Sequence, residues 1–274
     1  MLLLRRTVRL LRFESTHFGF KEVDLDQKQI EVDSVFTRVA KKYDLMNDLM
    51  SFYQHRCWKN QFVGQLNPKY DQSVLDLAAG TGDIAFRVAD KMAIDWKQRG
   101  EQKPFRIDHK GRIVASDINA DMLEVAKKRA QTLGIQGFEW LVADSSKLPL
   151  DSNTFDAVTI SFGLRNCPEP EKVLTEALRV LKPNGRFMCL EFSKPKNKYI
   201  SKYGIYFNVI PIMGEVIASD WNAYRYLVES IRVWHTKEDL CHLMIKMGFS
   251  RVSAEELSFG IVCIHQGFKN SNSK

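Results

Sequence analysis

Residues 73–83 read Ser73-Val74-Leu75-Asp76-Leu77-Ala78-Ala79-Gly80-Thr81-Gly82-Asp83. A short apolar run that ends in two closely spaced glycines predicts a buried strand, a tight turn and the start of a helix. Glycines at such a turn let the backbone approach a ligand closely. The helix start beside them offers N–H groups that no helical carbonyl has taken. Gly80, Gly82 and Ala85 also fit the G-x-G-x-x-A spacing of dinucleotide sites, a match that carries little weight alone.

The pattern continues on both sides. Strand-like runs recur at residues 111–117, 138–144, 155–162 and 185–193, with helical patterns between them, notably 121–133 and 171–181. Pro168 and Pro170 suit the first turn of the second of these helices. Strands that alternate with helices imply a parallel sheet with right-handed crossovers. Upstream, residues 28–66 read as helical, with Val35, Val39 and Tyr43 at helical spacing. Residues 92–110 are polar and charged and read as a surface insertion.

Downstream, residues 199–247 read as helical, with Thr236 and Asp239 spaced as a capping box and Gly248 as a stop. The last two strands, 251–257 and 261–269, are joined only by Ser258-Phe259-Gly260. That link is too short for a helical crossover, so the strands must be antiparallel. The expected fold is α/β, a mostly parallel seven-stranded sheet that ends in an antiparallel hairpin.

Charge is unevenly spread. The chain has 274 residues, 40 basic and 33 acidic, for a net charge of +7. Arg5, Arg6, Arg9 and Arg12 fall within residues 1–13, which hold no acid. An Arg-rich, acid-free, amphipathic start is the composition of a mitochondrial transit peptide, and the arginines interrupt the apolar run that a secretory signal needs. The remainder is only slightly basic and lacks an aromatic–basic repeat, so it gives no footprint for nucleic acid. The longest apolar stretch, 203–218, is broken by Pro211 and Glu215 and does not read as a membrane span. The five cysteines, Cys57, Cys167, Cys189, Cys241 and Cys263, form no C-x-x-C pair, and no zinc spacing appears. No metal site is expected, and the cysteine usage suits a reducing compartment.

Three acids sharpen the glycine turn. Asp76 lies inside the first strand of the series, while Asp117 and Asp144 end the second and third. Ligands of open α/β sheets sit beyond the carboxyl ends of strands, where a carboxylate at Asp117 would accept hydrogen bonds from a ribose diol. Asp144 is placed to read an adenine amino group. A dinucleotide enzyme shares the ribose acid but does not need the third, so the set favours S-adenosylmethionine over NAD.

Longer motifs then carry a resemblance. Tyr43-Asp44-Leu45-Met46-Asn47-Asp48-Leu49-Met50-Ser51, with His55 and Trp58, resembles the first signature of the ubiquinone/menaquinone biosynthesis C-methyltransferase family. Arg179-Val180-Leu181-Lys182-Pro183-Asn184-Gly185-Arg186, through Leu190-Glu191-Phe192-Ser193, resembles the second. Residues 161–166 (SFGLRN) and 226–231 (YLVESI) also look like family segments, and the similarity runs from about Thr16 to Phe268. The transit-like start and the 92–110 segment make the chain look like the mitochondrial branch. Asn184 stands where the family usually has glycine, and Asn tolerates left-handed backbone. Phe52-Tyr53-Gln54 and Cys57 also depart from the common form.

The resemblance implies a class I, Rossmann-like methyltransferase domain over residues 14–274, with a possible lid at 199–231. It implies S-adenosylmethionine-dependent C-methylation of a 2-polyprenyl-6-methoxy-1,4-benzoquinol in the matrix, peripheral to the inner membrane. It further implies a homodimer and membership of a quinone-biosynthesis complex. Thr81, Asp117, Asp144 with Ser145, and Ser161 match the family's cofactor positions; Gly80, Gly82 and Asp83 join them from the glycine turn.

A ring carbon becomes nucleophilic when a phenolic proton leaves, so such an enzyme needs a base, or a cation that favours phenolate, in a dry site. Arg165 follows the fourth strand of the series and is expected to lower the phenol pKa or to orient a water. His55 and Tyr43 are second candidates, His55 because imidazole titrates near neutrality. Asp220 and Tyr224 precede the YLVES segment and are weaker ones. Cys167 reads as a bystander. The competing readings are a methyltransferase for RNA or a small phenol, and a subunit that binds cofactor without turnover.

Overall fold

The computed structural model describes residues 15–39, 47–48, 51–101, 106–107, 110–195 and 221–271. The transit-like segment 1–13, Tyr43, Asp220 and residues 199–220 of the expected lid lie outside them.

A short antiparallel pair comes first, β1 (Ser15–Phe18) and β2 (Lys21–Asp24), followed by α1 (Leu25–Val39) and α2 (Gln54–Leu66). The β–α series is β3 (Ser73–Leu77), α3 (Asp83–Gln98), β4 (Arg112–Asp117), α4 (Ala120–Thr132), β5 (Phe138–Val142) and β6 (Phe155–Ser161). A 3-10 turn, Leu164–Asn166, leads to α5 (Pro170–Val180) and β7 (Leu181–Phe192). Then come α6 (Trp221–Val233), α7 (Lys237–Lys246), β8 (Ser250–Leu257) and β9 (Val262–Phe268).

The sheet order is β5-β4-β3-β6-β7-β9-β8. Neighbours from β5 to β7 pair in parallel, and β9 runs antiparallel to both β7 and β8. The seven strands and the antiparallel ending are as the sequence predicts. The direction of the order changes at β3 and β6, which puts the cleft beyond their carboxyl ends.

Strand alternation sorts the core onto two faces. Val74 joins Trp58, Phe62, Met92, Trp96 and Met188 on one face, while Leu75 and Leu77 join Val158, Phe187, Val173, Leu174 and Met244 on the other. Phe62 is wholly buried, which stabilises the fold by about 1.5–3 kcal/mol relative to exposure. The predicted punctuation holds: Pro170 opens α5, and the Thr236–Asp239 capping box opens α7. Asn184 takes the left-handed φ of 62° that glycine would take.

Two boundaries differ from expectation. Residues 92–98, expected within the insertion, continue α3, because Met92 and Trp96 extend its buried stripe by successive turns. The β1–β2 hairpin has no sequence period long enough to announce it. It is anchored instead by the stacking of Phe18 on Tyr226, at 4.3 Å between ring centroids.

Candidate active site

The glycine turn closes onto the end of β4. Gly80 takes φ +55°, and its N–H donates to Asp117 Oδ2 at 2.8 Å. A Cβ at Gly80 would stand 3.2 Å from Met122 Cε, so the loop leaves little room for a side chain. Asp117 Oδ1 accepts from the Asn119 N–H, also at 2.8 Å. Burial pushes the Asp117 carboxyl above its ordinary range, against the pull of these backbone donors. A buried carboxylate held by backbone alone, with its remaining lone pairs facing a cleft, suits a diol.

The cleft beside it is lined by Gly80, Asp117, Asp144, Ser145 and Ser161 from the strand ends. Asp144 Oδ1 accepts from the Ser146 N–H at 2.8 Å, which fixes the turn after β5. Ser161 Oγ is buried without a hydrogen-bond partner, an orphan that a polar ligand atom would satisfy. Met122, Val32, Phe36 and Phe162 give the cleft an apolar side. The Phe162 ring packs 4.9 Å from Phe192. These donors, acceptors and apolar surfaces fit a nucleoside with a methionine-like tail, and no group of metal-binding side chains occurs among the described residues.

Two strained turns shape the floor. Ala78 and Phe162, just past β3 and β6, both adopt left-handed backbone, with φ of 48° and 55°. They meet at Gly163, where a Cβ would lie 2.5 Å from Ala78 Cβ. Only glycine allows the two strand ends to stay adjacent there.

Helix α1 roofs the cleft. Asn119 Nδ2 donates to Asp33 Oδ1 at 2.5 Å and to Thr37 Oγ1 at 2.8 Å, while Asn119 Oδ1 caps α4 by accepting from the Met122 N–H. One side chain therefore ties α1 to the loop that holds Asp117. Sequence reading missed Asn119; its position one residue before α4 was the available signal.

Other expected site residues lie elsewhere. Thr81, Gly82 and Asp83 do not line the cleft. Asp83 points from the first turn of α3 toward α2, where Lys59 Nζ lies 2.7 Å from its Oδ2 and Arg87 binds its other oxygen. Burial alone would raise its pKa; the Lys59 and Arg87 cations outweigh burial and hold it well below the usual carboxylate range. Asp76 is buried in β3 and accepts from Thr159 Oγ1 at 2.8 Å, since strand alternation turns it inward rather than to the strand end. Burial pushes it up to about 7.

Arg165 does not line the cleft either. Its guanidinium turns back, Nη1 donating to Phe162 O at 2.6 Å and to Glu191 Oε1 at 2.9 Å. The expected free cation is thus a neutralised pair, and the sequence placed its partner in a separate motif. Asn166, beside it, does line the cleft, and its Oδ1 accepts from Tyr226 Oη at 3.0 Å. The SFGLRN and YLVES segments meet at that bond.

His55 sits in a separate cavity with Asn60, Arg87 and Asp90. Its Nε2 lies 2.8 Å from Asp48 Oδ1, and burial together with the Lys59 charge lowers its pKa. Phe52 and Tyr53 are exposed at the start of α2 and line no part of the cleft. Cys167 lines it, but burial pushes the thiol up to about 12, which leaves it un-ionised and suits the bystander reading.

Known proteins share this architecture. The ubiE/COQ5 methyltransferase family profile matches residues 23–269. The chain is 46% identical to the mitochondrial 2-methoxy-6-polyprenyl-1,4-benzoquinol methylase of Danio rerio, over 93% of this chain and 84% of that one. It is 45% identical to the protein of that name from Caenorhabditis elegans (93% and 86% covered) and 43% identical to that from Homo sapiens (94% and 85%). Among solved structures, a Thermotoga maritima SAM-dependent methyltransferase, described as a possible histamine N-methyltransferase, aligns with a TM-score of 0.56 at 20% identity, over 86% of this chain and 99% of that one. A SAM-dependent methyltransferase from Aquifex aeolicus aligns with a TM-score of 0.53 at 18% identity, over 77% and 88%. These two likenesses establish the fold.

Proposed function

The chain belongs to the ubiE/COQ5 methyltransferase family, and on that premise we propose that it methylates a ring carbon of a 2-polyprenyl-6-methoxy-1,4-benzoquinol in the mitochondrion, with S-adenosylmethionine as the donor. The observation that carries this reading is the cleft in which the Gly80 turn, the buried Asp117 carboxylate and an apolar wall meet. The family match supports the quinol substrate, and the chemistry of the cleft supports the cofactor.

Bound S-adenosylmethionine supplies an electrophilic methyl group. The chain's own residues hold, orient and dry the site. Asp117 would accept hydrogen bonds from the ribose hydroxyls, Asp144 with Ser145 would hold the base, and the unpaired Ser161 hydroxyl would bond the methionine end. Helix α1, tied down by Asn119, excludes water on the far side. Asn166 and Cys167 face the remaining part of the cleft, where the quinol ring belongs.

We assign residues 14–274 to one methyltransferase domain, supported by the continuous family match over 23–269. Homodimer formation and membership of a quinone-biosynthesis complex at the inner membrane are part of the same proposal. The family resemblance supports them, and light scattering of the purified protein tests the first. No helix among the described residues is long and apolar enough to cross a membrane.

The test is a purified-protein assay with S-adenosylmethionine and a short-tailed demethyl-quinol, read by mass spectrometry. A product heavier by one methylene, with the new methyl on ring carbon, is expected. Methylation of a simple phenol or of RNA, with the quinol untouched, would select a competing reading. Cofactor binding without any turnover would make the chain an assembly subunit.

A further inference from the structure

Lys28 lies one helical turn from Leu25 and Val32 of α1, which line the cleft; its own side chain is outside the lining and reaches the 164–167 turn. It is only 6% exposed. Its Nζ sits 3.0 Å from Cys167 O, 3.4 Å from Arg165 O and 3.4 Å from Thr16 Oγ1. Among the described residues no carboxylate pairs with it. A buried ammonium satisfied only by two carbonyls and a hydroxyl is expensive to keep, because neutral dipoles offset only part of its lost hydration. A functional return would explain its presence.

The 164–167 turn thus touches two buried cations, Arg165 and Lys28, and one carboxylate, Glu191. Glu191 is fully engaged by Arg165 and by the Phe192 N–H. The pair cancels, and the charge left over belongs to Lys28. Around it, Cys167 is un-ionised, Tyr226 on α6 is bonded to Asn166, and Thr16 on β1 is neutral. Asp26 and Asp33 of its own helix line the cleft, and Asp117 and Asp144 stand at the strand ends where the nucleoside belongs.

We propose that Lys28 is a positioning residue of the methyl-transfer site: its ammonium fixes the 164–167 turn beneath α1 and supplies a positive charge, in ion-pair contact with no carboxylate among the described residues, that favours the ionised ring hydroxyl of the quinol. This rests on the functional reading above. The hydroxyl proton passes to water, and Lys28, already protonated, takes none. Burial lowers the Lys28 pKa to about 8, with the Arg165 charge acting in the same direction. The ammonium is therefore charged at neutral pH and is lost in mild alkali.

The test compares wild type, Lys28→Met and Lys28→Arg in pH–rate profiles with the short-tailed quinol. Lys28→Met should lower kcat about tenfold at pH 7 and recover with rising pH, as a one-unit upward shift in the ring hydroxyl pKa requires. KM for S-adenosylmethionine should stay within about twofold, as expected for a group that acts on the ring alone. Lys28→Arg should keep wild-type kcat at pH 7 and go on rising above about pH 8, where wild type levels off as its ammonium loses its charge, because guanidinium does not titrate there. A second readout is the visible absorbance of 2-methoxy-4-nitrophenol titrated with each protein saturated with S-adenosylhomocysteine; its bound pKa should be lower in wild type than in Lys28→Met.

A uniform fall in kcat at every pH, with equal probe pKa values, would reduce Lys28 to a structural pin and overturn the inference. If Lys28→Met does not fold, Lys28→Arg decides, and a levelling-off near pH 8 retained in it overturns the inference. Should wild type not methylate the quinol at all, the functional reading itself fails.

Discussion

Arg165 Nη1 lies 2.9 Å from Glu191 Oε1, and the two side chains are 5% and 0% exposed. The cation nearest the expected reaction centre is therefore half of a buried ion pair. Its first duty is to hold the turn after β6, where it also binds Phe162 O.

Removing one partner of such a pair strands the other charge. Arg165→Ala should lower stability by about 3–5 kcal/mol in urea unfolding. The double variant Arg165→Met/Glu191→Leu should recover most of that loss. A double variant as unstable as the single one would show that the pair is not the source of the effect.

Asp117 offers the cofactor a buried carboxylate at the edge of the cleft. Asp117→Ala should weaken S-adenosylmethionine binding roughly 10- to 100-fold, the worth of a hydrogen bond to a charged group. Turnover at saturating cofactor should fall much less. Calorimetric titration gives the first quantity and steady-state kinetics the second.

Asp83 is expected to matter for stability rather than for cofactor. Lys59→Met leaves it with fewer cations in a buried site and should cost about 3 kcal/mol at pH 7. Because the folded pKa of Asp83 is depressed, its contribution is present above the unfolded carboxylate pKa and is lost as pH falls. The stability gap between wild type and Lys59→Met should accordingly narrow in acid. Cofactor affinity should change by less than about twofold, since Asp83 stands outside the cleft.

Asp76 has the opposite sign. Its folded pKa, about 7, lies above the unfolded value of 3.8, so the folded state binds the extra proton between those limits. Stability should fall as pH rises from about 4 to 7 through this group. Asp76→Asn keeps an acceptor for Thr159 Oγ1 and should flatten that slope. At pH 8 it should stabilise the protein by an amount on the order of 1–3 kcal/mol. Thermal melts across the range would measure both.

Much of the fold was legible because its signals are local. SVLDLAAGTGD predicted β3, the turn and α3, and a three-residue link forced β8 and β9 to run antiparallel. Boundaries failed where burial came from distant residues. Trp96 and Met92 look like part of a polar insertion until the core beside Tyr70 and Ile113 gives them a place. The hairpin before α1 shows itself only when Phe18 finds Tyr226. At the site, Gly80, Asp117, Asp144, Ser145 and Ser161 line one cleft; the first was read from the glycine turn, the two acids from strand ends, and the two serines from the family resemblance. Lys28, Asn119 and Glu191 went unread, since each acts on a segment far away in the chain.

The sequence by itself determined the order of strands and helices from β3 onward, the glycine turn, the acids at the end of β4 and just after β5, and the family motifs. Each depends on periodicity, chain connectivity or a contiguous run of residues. Only the tertiary structure decided which way each charge points and which charges cancel. Asp83 turns to Lys59, Asp76 turns into the sheet, Arg165 is neutralised by Glu191, and Lys28 is left as the cation beneath the cleft roof. Side-chain direction follows strand parity and helix phase, and net charge at a site follows from partners brought together by folding; neither is a property of any one stretch of chain.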